Sequence, residues 1–361
     1  MVPIPCGDTA PVPSPAYQRA LAKHSPRLHL DALLVVRRLQ LLRLCGLAVR
    51  VAQGRCPPPL PQGPGGAPRI YSDGSLLVIA LLRTLWRLSL QDMHDWLISW
   101  PALALACGLP ADAQGRPRVP SPATMSKRAA RLGAPAYEVL FVQTVRQALR
   151  TRLIGARDLI LDSAPIKAWR VADPDAQVGH APAHHPTAWL RGFRLHTLLC
   201  RGSGLPIAFR LAPANRHDAP FATPLLALAV RLYDLRIRVV RLDAAYWGPT
   251  LIAWIHTTLH ATAVIPWNPK RTKNRACLPP TWTRAELGKR TSIERFFGRI
   301  LLFFRLQRPP LVGWTALTQQ VALTYTASIL VGLAAQDAGR SDLIRSPKRV
   351  LAHSWEGLLA S

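Results

Sequence analysis

The sequence predicts an α/β fold in which a mixed sheet is covered by helices and follows a mainly helical N-terminal domain. Two patterns lead to this prediction. Up to about residue 150 apolar residues recur at helical spacing, and after about residue 157 short apolar runs alternate with helical segments. In addition, 49% of the 361 residues are hydrophobic, which is enough to fill a sizeable core. We therefore expect a globular protein with one large domain and a smaller companion.

The first 150 residues carry the helical part of this prediction. Residues 1–68 combine a disordered Pro-rich start, the basic helix HLDALLVVRRLQLLRLCGLAVRVAQ and the Pro-rich linker PPPLPQGPGGAP at 57–68. Residues 69–150 are expected to form a separate helical domain. Inside it, Ser121 and Pro122 are typical of a helix start, because Ser caps the first turn and Pro fits its first position.

After residue 157 the pattern changes to strands and helices. Two apolar runs joined by a GSG turn predict a hairpin, and the other runs alternate between the two periodicities. The predicted elements are the strand DLILD at 158–162, hairpin strands at 193–200 and 205–211, a helix at 219–233, a strand at 237–242, a helix at 249–260, a strand at 262–267 and a helix from about Thr291. This order suits a mixed sheet covered by helices.

The charge balance points to a polyanionic partner. Lys and Arg number 46 against 19 Asp and Glu, a formal net charge of +27. An excess of this size favours nucleic acid over a small substrate. A membrane surface ranks well behind, because the basic residues are spread along the chain rather than gathered beside an apolar anchor. From charge alone, the helix with Lys127, Arg128 and Arg131 fits a solvated face and a DNA-contacting face equally well.

The remaining composition indicates a cytoplasmic protein. The N-terminus lacks the basic start, apolar core and cleavage site of a signal peptide. The longest apolar segment, at 321–335, is too short to span a bilayer and predicts a buried helix. The cysteines, at positions 6, 45, 56, 107, 200 and 277, include no CxxC pair. That scatter argues against a zinc site and for free thiols in a reducing compartment.

Two of the few acids end apolar strands, Asp162 in LILDSAPI and Asp243 in VVRLDAAYW. A carboxylate placed there is costly to desolvate unless a partner such as a divalent cation pairs with it. For either residue alone, capping the next turn is the more frequent role. The presence of both shifts the balance towards a shared site.

Glu294, in KRTSIERFFGRI, is the third candidate acid. Taken alone it fits a capping box that begins at Thr291. In the order of elements, however, it opens the helix after the last strand, from which it could reach the ends of the two Asp-bearing strands. Three carboxylates meeting there could hold two divalent cations for phosphodiester displacement. The substrate of that reaction would also explain the positive charge of the chain.

Four stretches resemble the insertion-sequence DDE transposases with the Tyr-Arg-Glu-Lys signature: LILDSAPI, GFRLHTLLCRGSGLPIAFRLAPANRHDA at 192–219, LDAAYW and RTSIERFFGRI. The likeness covers about residues 74–336. It implies a ribonuclease H-like catalytic domain over 151–340, with a C-terminal tail at 341–361. It further implies a bacterial, nucleoid-associated enzyme that uses Mg²⁺, or Mn²⁺ as a substitute. Such an enzyme cuts at the inverted repeats of its own element and joins them to target DNA, and we expect a homodimer on double-stranded DNA.

Carried over residue by residue, the resemblance makes Asp162, Asp243 and Glu294 the catalytic and metal-binding acids. The sequence departs from the signature at Leu287, in place of Tyr, and at Leu301, in place of Lys. On a continuous helix, Leu301 and the later Arg305 would follow Glu294 along nearly the same face. The residues expected to bind DNA are Arg290, which matches the signature Arg, with Lys289, Arg295, Arg305, Lys127, Arg128 and Arg131.

Other residues are open to plainer interpretations. The histidines of GHAPAHHP could suggest metal ligands, but a Pro-rich loop without a Cys partner is more often only exposed. These histidines are His180, His184 and His185. Tyr246 and Trp247 could stack on a base or, equally, pack beneath the next helix. His217 and Asp218 follow the text of the family, and we expect a supporting role for them near the site.

Two other functions remain open. A DNA-binding protein descended from a transposase that no longer cuts is supported by Leu287 and Leu301. A structure-specific nuclease on the same fold would cut strands without joining them. A metal-dependent cleavage assay separates the first from a transposase, and strand-transfer products separate the second.

Overall fold

The computed structural model describes residues 70–181, 187–268, 286, 288–337 and 339–352. The predictions for residues 1–68, for Leu287 and for two histidines, His184 and His185, lie outside the described residues. The chain divides into two compact units. In the described part, the smaller unit contains 70–132, 337 and 339–352, and the larger unit is Gly133–Gln336. The predicted division at residues 68, 150 and 340 stays a prediction.

The smaller unit is helical, as predicted. Its helices are α1 (Asp73–Trp86), α2 (Leu90–Ser99), α3 (Pro101–Ala106) and the first part of α4 (Pro122–Arg150). Apolar side chains from these helices, including Leu81, Met93 and Leu103, have no exposed surface. They form a core of their own.

Serine side chains begin three of these helices. Ser72 accepts a hydrogen bond from the backbone N–H three residues on, at 3.0 Å, and Ser89 forms a capping box with Asp92. Ser121 accepts from the N–H of Thr124 at 3.2 Å, and α4 begins at the next residue. The predicted helix start is therefore confirmed. α4 breaks at Gly133, whose φ of 67° is a left-handed conformation that glycine adopts without strain.

The larger unit contains one mixed sheet, as predicted. Its strands are β1 (Asp158–Lys167), β2 (Gln177–His180), β3 (Trp189–Cys200), β4 (Leu205–Pro213), β5 (Val239–Arg241) and β6 (Thr262–Val264). β3 lies antiparallel between β1 and β4, and β5 and β6 run parallel to β1 on its other side. β2 pairs with the first residues of β3. The predicted hairpin is β3–β4, and the strand order β4-β3-β1-β5-β6 agrees with a ribonuclease H-like fold.

Helices of the larger unit follow the strands in the predicted order. They are α5 (Ala222–Tyr233), α6 (Pro249–Leu259), α7 (Thr291–Gly298) and α8 (Trp314–Asp337), and α9 (Pro347–Ala352) belongs to the smaller unit. A 3₁₀ turn at Ala219–Phe221 precedes α5. α7 begins at the predicted residue but passes directly into a π-helical turn at Arg299–Phe303. That turn ends the α-helical register after Gly298.

The core of the larger unit is built around α8. Every residue from 321 to 335 is buried, so the predicted buried helix is confirmed. The helix extends beyond this apolar segment, and by length and composition alone its 24 residues could cross a membrane. However, 78% of its most apolar window is buried inside the protein. Tyr325 on α8 contacts the sheet through a hydrogen bond with Thr197 on β3.

Two aspartates hold the start of α8. Asp173, which has no exposed surface, accepts a hydrogen bond from the N–H of Gly313 at 3.0 Å. Asp175 accepts from the N–H of Trp314 at 2.7 Å. Negative charge at a helix N-terminus is favourable because the first N–H groups have no partner inside the helix. This pair therefore fixes the core helix to the segment that follows β1.

Candidate functional site

The strand register places Asp162 and Asp243 at the same level of the sheet. β1 and β5 are parallel neighbours in which Ile160 pairs with Arg241. Each aspartate lies two residues further along its own chain segment. The strand predicted to end at Asp162 is longer than expected, because β1 continues to Lys167 in pairing with β3. Asp243, in contrast, follows the end of β5. Parallel neighbours are about 4.8 Å apart, so the two aspartates lie side by side just past the point where β1 and β5 stop pairing. Asp243 also caps the turn that follows it, accepting from the N–H of Ala245 at 2.8 Å.

Asp162 is largely buried and has two hydrogen-bond donors. Its Oδ1 accepts from the N–H of Ser163 at 2.8 Å, and its Oδ2 accepts from Nη1 of Arg290 at 2.9 Å. Burial raises the pKa of Asp162 to about 6, Arg290 opposes this rise, and the charges of Asp243 and Asp218 add to it. The carboxylates thus repel one another, and a cation between them would relieve the repulsion.

Arg290 connects Glu294 to this pair. Nη2 of Arg290 lies 3.8 Å from Oε1 of Glu294, whose side chain is 60% exposed. The capping box expected at Thr291 is not formed: Arg290 stands at the N-cap position, and among the described residues no side chain caps α7. Within the described ranges, no three acids, histidines or cysteines stand close enough together to enclose a metal ion. The structure therefore brings Asp162, Asp243 and Arg290 together, with Glu294 at their edge.

A second group of polar side chains adjoins the acids. Asp218 accepts from the hydroxyl of Ser163 at 2.9 Å and from Nη1 of Arg194 at 3.2 Å. Nδ1 of His196 lies 3.8 Å from Asp218, and the His196 ring stacks on Phe221 with 4.3 Å between ring centres. Burial raises the pKa of Asp218, and Arg194 opposes the rise. A supporting position near the acids was expected for Asp218, but its partners were not.

The sequence contains a pattern that could have indicated Arg194 and His196 as partners of Asp218. Arg194 and His196 occupy alternate positions in FRLHTLLC, a hairpin strand that is otherwise mostly apolar. Polar residues two apart on a strand share one face. In the β1–β3 register His196 pairs with Ser163 and Arg194 with Pro165, so that face lies beside the residue after Asp162. The sequence alone does not show that Arg194 and His196 lie beside Ser163, because this depends on the long-range register of β1 and β3.

The basic residues predicted to bind DNA have different environments. Lys127, Arg131 and Arg295 are exposed. Arg128 forms an ion pair with Asp73, and its side chain is 17% exposed. Lys289 forms an ion pair with Glu286. Arg128 therefore has a structural partner that the sequence did not indicate.

The predicted common face of Glu294, Leu301 and Arg305 is wrong. α7 ends at Gly298, and the π-helical turn that follows places Leu301 out of the α-helical register. Arg305 lies beyond the turn, exposed and with a left-handed φ of 58°. Leu301 and Arg305 therefore do not share a helix face with Glu294.

The environments of the remaining aromatic residues, His180 and the cysteines decide between the interpretations that the sequence left open. Tyr246 and Trp247 are 1% and 4% exposed, so they pack inside the protein rather than presenting a face to a base. His180 is exposed and stacks on Trp189, with 4.4 Å between ring centres. Cys107 and Cys200 are buried and form no disulfide within the described part of the chain, and the other four cysteines lie outside it.

A family match falls within the larger unit of the chain. Residues 155–330 match a family model described as the transposase DDE domain. A solved structure that resembles the chain is the cryo-EM structure of a piggyBac transposase synaptic complex with hairpin DNA, at 9% identity and a TM-score of 0.43, covering 92% of this chain and 83% of that one. No curated protein matches the chain. The matched range contains the whole described sheet together with Asp162, Asp218, Asp243 and Glu294.

Proposed function

We propose that this protein is the DNA transposase of a bacterial insertion sequence. In this proposal it binds the inverted repeats at the ends of its element, cleaves phosphodiester bonds there and joins the ends to target DNA. The observation that carries the proposal is the pair formed by Asp162 and Asp243, which lie side by side where the parallel pairing of β1 and β5 ends, inside the range that matches the transposase DDE domain. The nucleoid of a bacterial cell would be its place of action.

Asp162, Asp243 and Glu294 are the proposed catalytic acids and would hold Mg²⁺, with Mn²⁺ as a substitute. Carboxylate oxygens are the ligands that these cations prefer. The electrostatics of Asp162 support this assignment, because the charges of Asp243 and Asp218 help to raise its pKa and a cation between these carboxylates would be stabilising. When bound, the metal ions would activate a water or a 3′-hydroxyl and stabilise the leaving oxygen.

The basic residues around the acids would bind and orient the DNA. Arg290, Lys289 and Arg295 lie on or just before α7, so phosphates close to the acids would meet their charges. Lys127, Arg131 and Arg305 would contribute elsewhere on the duplex, whereas Arg128 would contribute little because it is paired with Asp73. Two copies of the protein would act together, one for each end of the element.

A transposase-derived DNA-binding protein that no longer cuts is the second candidate. Two observations favour it: Arg290 occupies one oxygen of Asp162, and Glu294 is turned largely to solvent. Leu301, in place of the signature Lys, points the same way.

The test is a cleavage and joining assay with the full chain, Mg²⁺ and DNA that contains the element ends. We expect metal-dependent strand cleavage followed by strand-transfer products. Cleavage without joined products would favour a structure-specific nuclease. Tight DNA binding without cleavage in either Mg²⁺ or Mn²⁺ would favour the second candidate and contradict the proposed activity.

A further inference from the structure

Asp218 is the centre of a closed ring of hydrogen bonds. It accepts from the hydroxyl of Ser163 at 2.9 Å and from Nη1 of Arg194 at 3.2 Å. The same Nη1 donates to the oxygen of Ser163 at 3.3 Å. Three side chains from three separate segments therefore fix one another's positions. Charge-assisted hydrogen bonds of this kind are stronger than neutral ones.

The ring is connected to Asp162 through Ser163. The hydroxyl of Ser163 is held by Asp218, and its backbone N–H donates to Oδ1 of Asp162 at 2.8 Å. A rotation or shift of Ser163 would therefore move the donor that orients the Asp162 carboxylate. Asp218 does not contact Asp162 by any hydrogen bond, so its effect on that residue acts through Ser163.

Asp218 is also close to the segment that carries Asp243. Tyr246 ends the short turn that Asp243 begins, and it is 1% exposed. Burial raises the pKa of Tyr246 well above its usual value, and Asp218, Asp162 and Asp243 raise it further. The turn after β5 therefore lies within electrostatic reach of Asp218.

The position of Asp218 is itself fixed by aromatic stacking. His196 on β3 stacks on Phe221, three residues after Asp218, with an angle of 18° between the rings. Burial lowers the pKa of His196 to about 3, with Arg194 and Arg210 contributing, so the ring is neutral at physiological pH. A neutral ring stacks at this buried position without the desolvation cost of an imidazolium. The turn that begins at Asp218 is therefore held against the sheet.

We propose that Asp218 is a positioning residue for the acid pair: by holding Ser163 and Arg194, it keeps Asp162 in a fixed position relative to Asp243. The part of this inference that concerns metal binding rests on the proposed function. The structural part, that Asp218 orders Ser163 and the adjoining residues of β1, stands on the hydrogen bonds alone.

The test measures Mn²⁺ binding to the full chain by electron paramagnetic resonance in three variants. Asp218→Asn keeps the shape of the side chain but removes the charge that holds Arg194, and Asp218→Ala removes the acceptor as well. Asp173→Asn is the matched control, because it changes a buried aspartate of the same unit whose partner is the start of α8. We expect Asp218→Asn to raise the half-saturating Mn²⁺ concentration about tenfold, a loss typical of residues that orient metal ligands.

Hydrogen–deuterium exchange of the same proteins supplies a readout that needs no metal. Asp218→Asn should speed exchange at residues 161–164 and 243–247, whereas Asp173→Asn should speed it near 313–317. Unchanged Mn²⁺ binding in Asp218→Asn, or an equal loss in Asp173→Asn, would overturn the positioning role. If the wild type binds no Mn²⁺, the proposed metal chemistry fails, and unchanged exchange at 161–164 in Asp218→Asn would then overturn this inference separately.

Discussion

His196 shows how one buried side chain makes stability depend on pH. It has no exposed surface, and its pKa of about 3 lies below the value of about 6.5 expected in the unfolded chain. Between these pH values the unfolded chain binds more protons at this residue than the folded chain does. The free energy of unfolding therefore falls as pH is lowered through this window. Asp162 acts in the opposite sense, because its folded pKa is raised to about 6.

Replacing His196 by Phe should remove this pH dependence while keeping an aromatic ring against Phe221. Between pH 8 and pH 5, the unfolding free energy of the wild type should fall by about 2 kcal/mol relative to that of the variant. Urea unfolding at a series of pH values measures it. Because Asp162 titrates in both proteins, taking the difference cancels its contribution. Parallel pH curves for the two proteins would show that His196 is not held neutral by the fold.

At the scale of single elements, the hydrogen bond between Tyr325 on α8 and Thr197 on β3 connects the core helix to the sheet. Tyr325→Phe would leave the Thr197 hydroxyl without this partner in a fully buried position. We expect the variant to lose about 1–2 kcal/mol of unfolding free energy, measured by urea unfolding. Tyr233→Phe is the matched control, because the buried Tyr233 hydroxyl makes no hydrogen bond within the described residues. An equal loss in both variants would contradict the role of this contact.

Elements with a clear periodicity were predictable from the sequence, and their contacts were not. The order of strands and helices, the β3–β4 hairpin and the start of α7 at Thr291 follow from local patterns. The π-helical turn at Arg299–Phe303 does not, because a prediction that assumes 3.6 residues per turn cannot detect a change of helix type. It is this turn that separates Leu301 from the face of Glu294.

For the candidate site too, the sequence predicted individual residues but not the contacts between them. Asp162 and Asp243 were identified because an acid after an apolar run is unusual, and the parallel pairing of β1 with β5 then places them side by side. The ring of Ser163, Arg194 and Asp218 depends on the antiparallel register of β1 and β3, which no local pattern specifies. The pairing of Arg128 with Asp73 is hidden for the same reason, since it joins residues far apart in sequence.

At the scale of the whole molecule, the net charge of +27 should make DNA binding steeply dependent on salt. Counterion release predicts a linear fall of log K with log salt, with a slope of about −0.9 for each phosphate contacted. Lys127→Gln and Arg131→Gln should each reduce the slope by about 1, because both side chains are exposed. Arg128→Gln should change it little, because Arg128 is already paired with Asp73. A slope near zero for the wild type would contradict the nucleic-acid partner.

The central claim is that Asp162 and Asp243, with Glu294, carry metal-dependent cleavage of DNA. The most direct measurement compares the cleavage of end-containing DNA in Mg²⁺ by Asp162→Asn, Asp243→Asn and Glu294→Gln, with duplex binding and unfolding measured in parallel. Asp234→Asn is the control, because it makes the same chemical change at an exposed residue after α5. We predict that the three site variants lose cleavage but bind duplex DNA nearly as the wild type does, and that the control keeps both activities. Wild-type cleavage by the Asp162 or Asp243 variant would contradict the account.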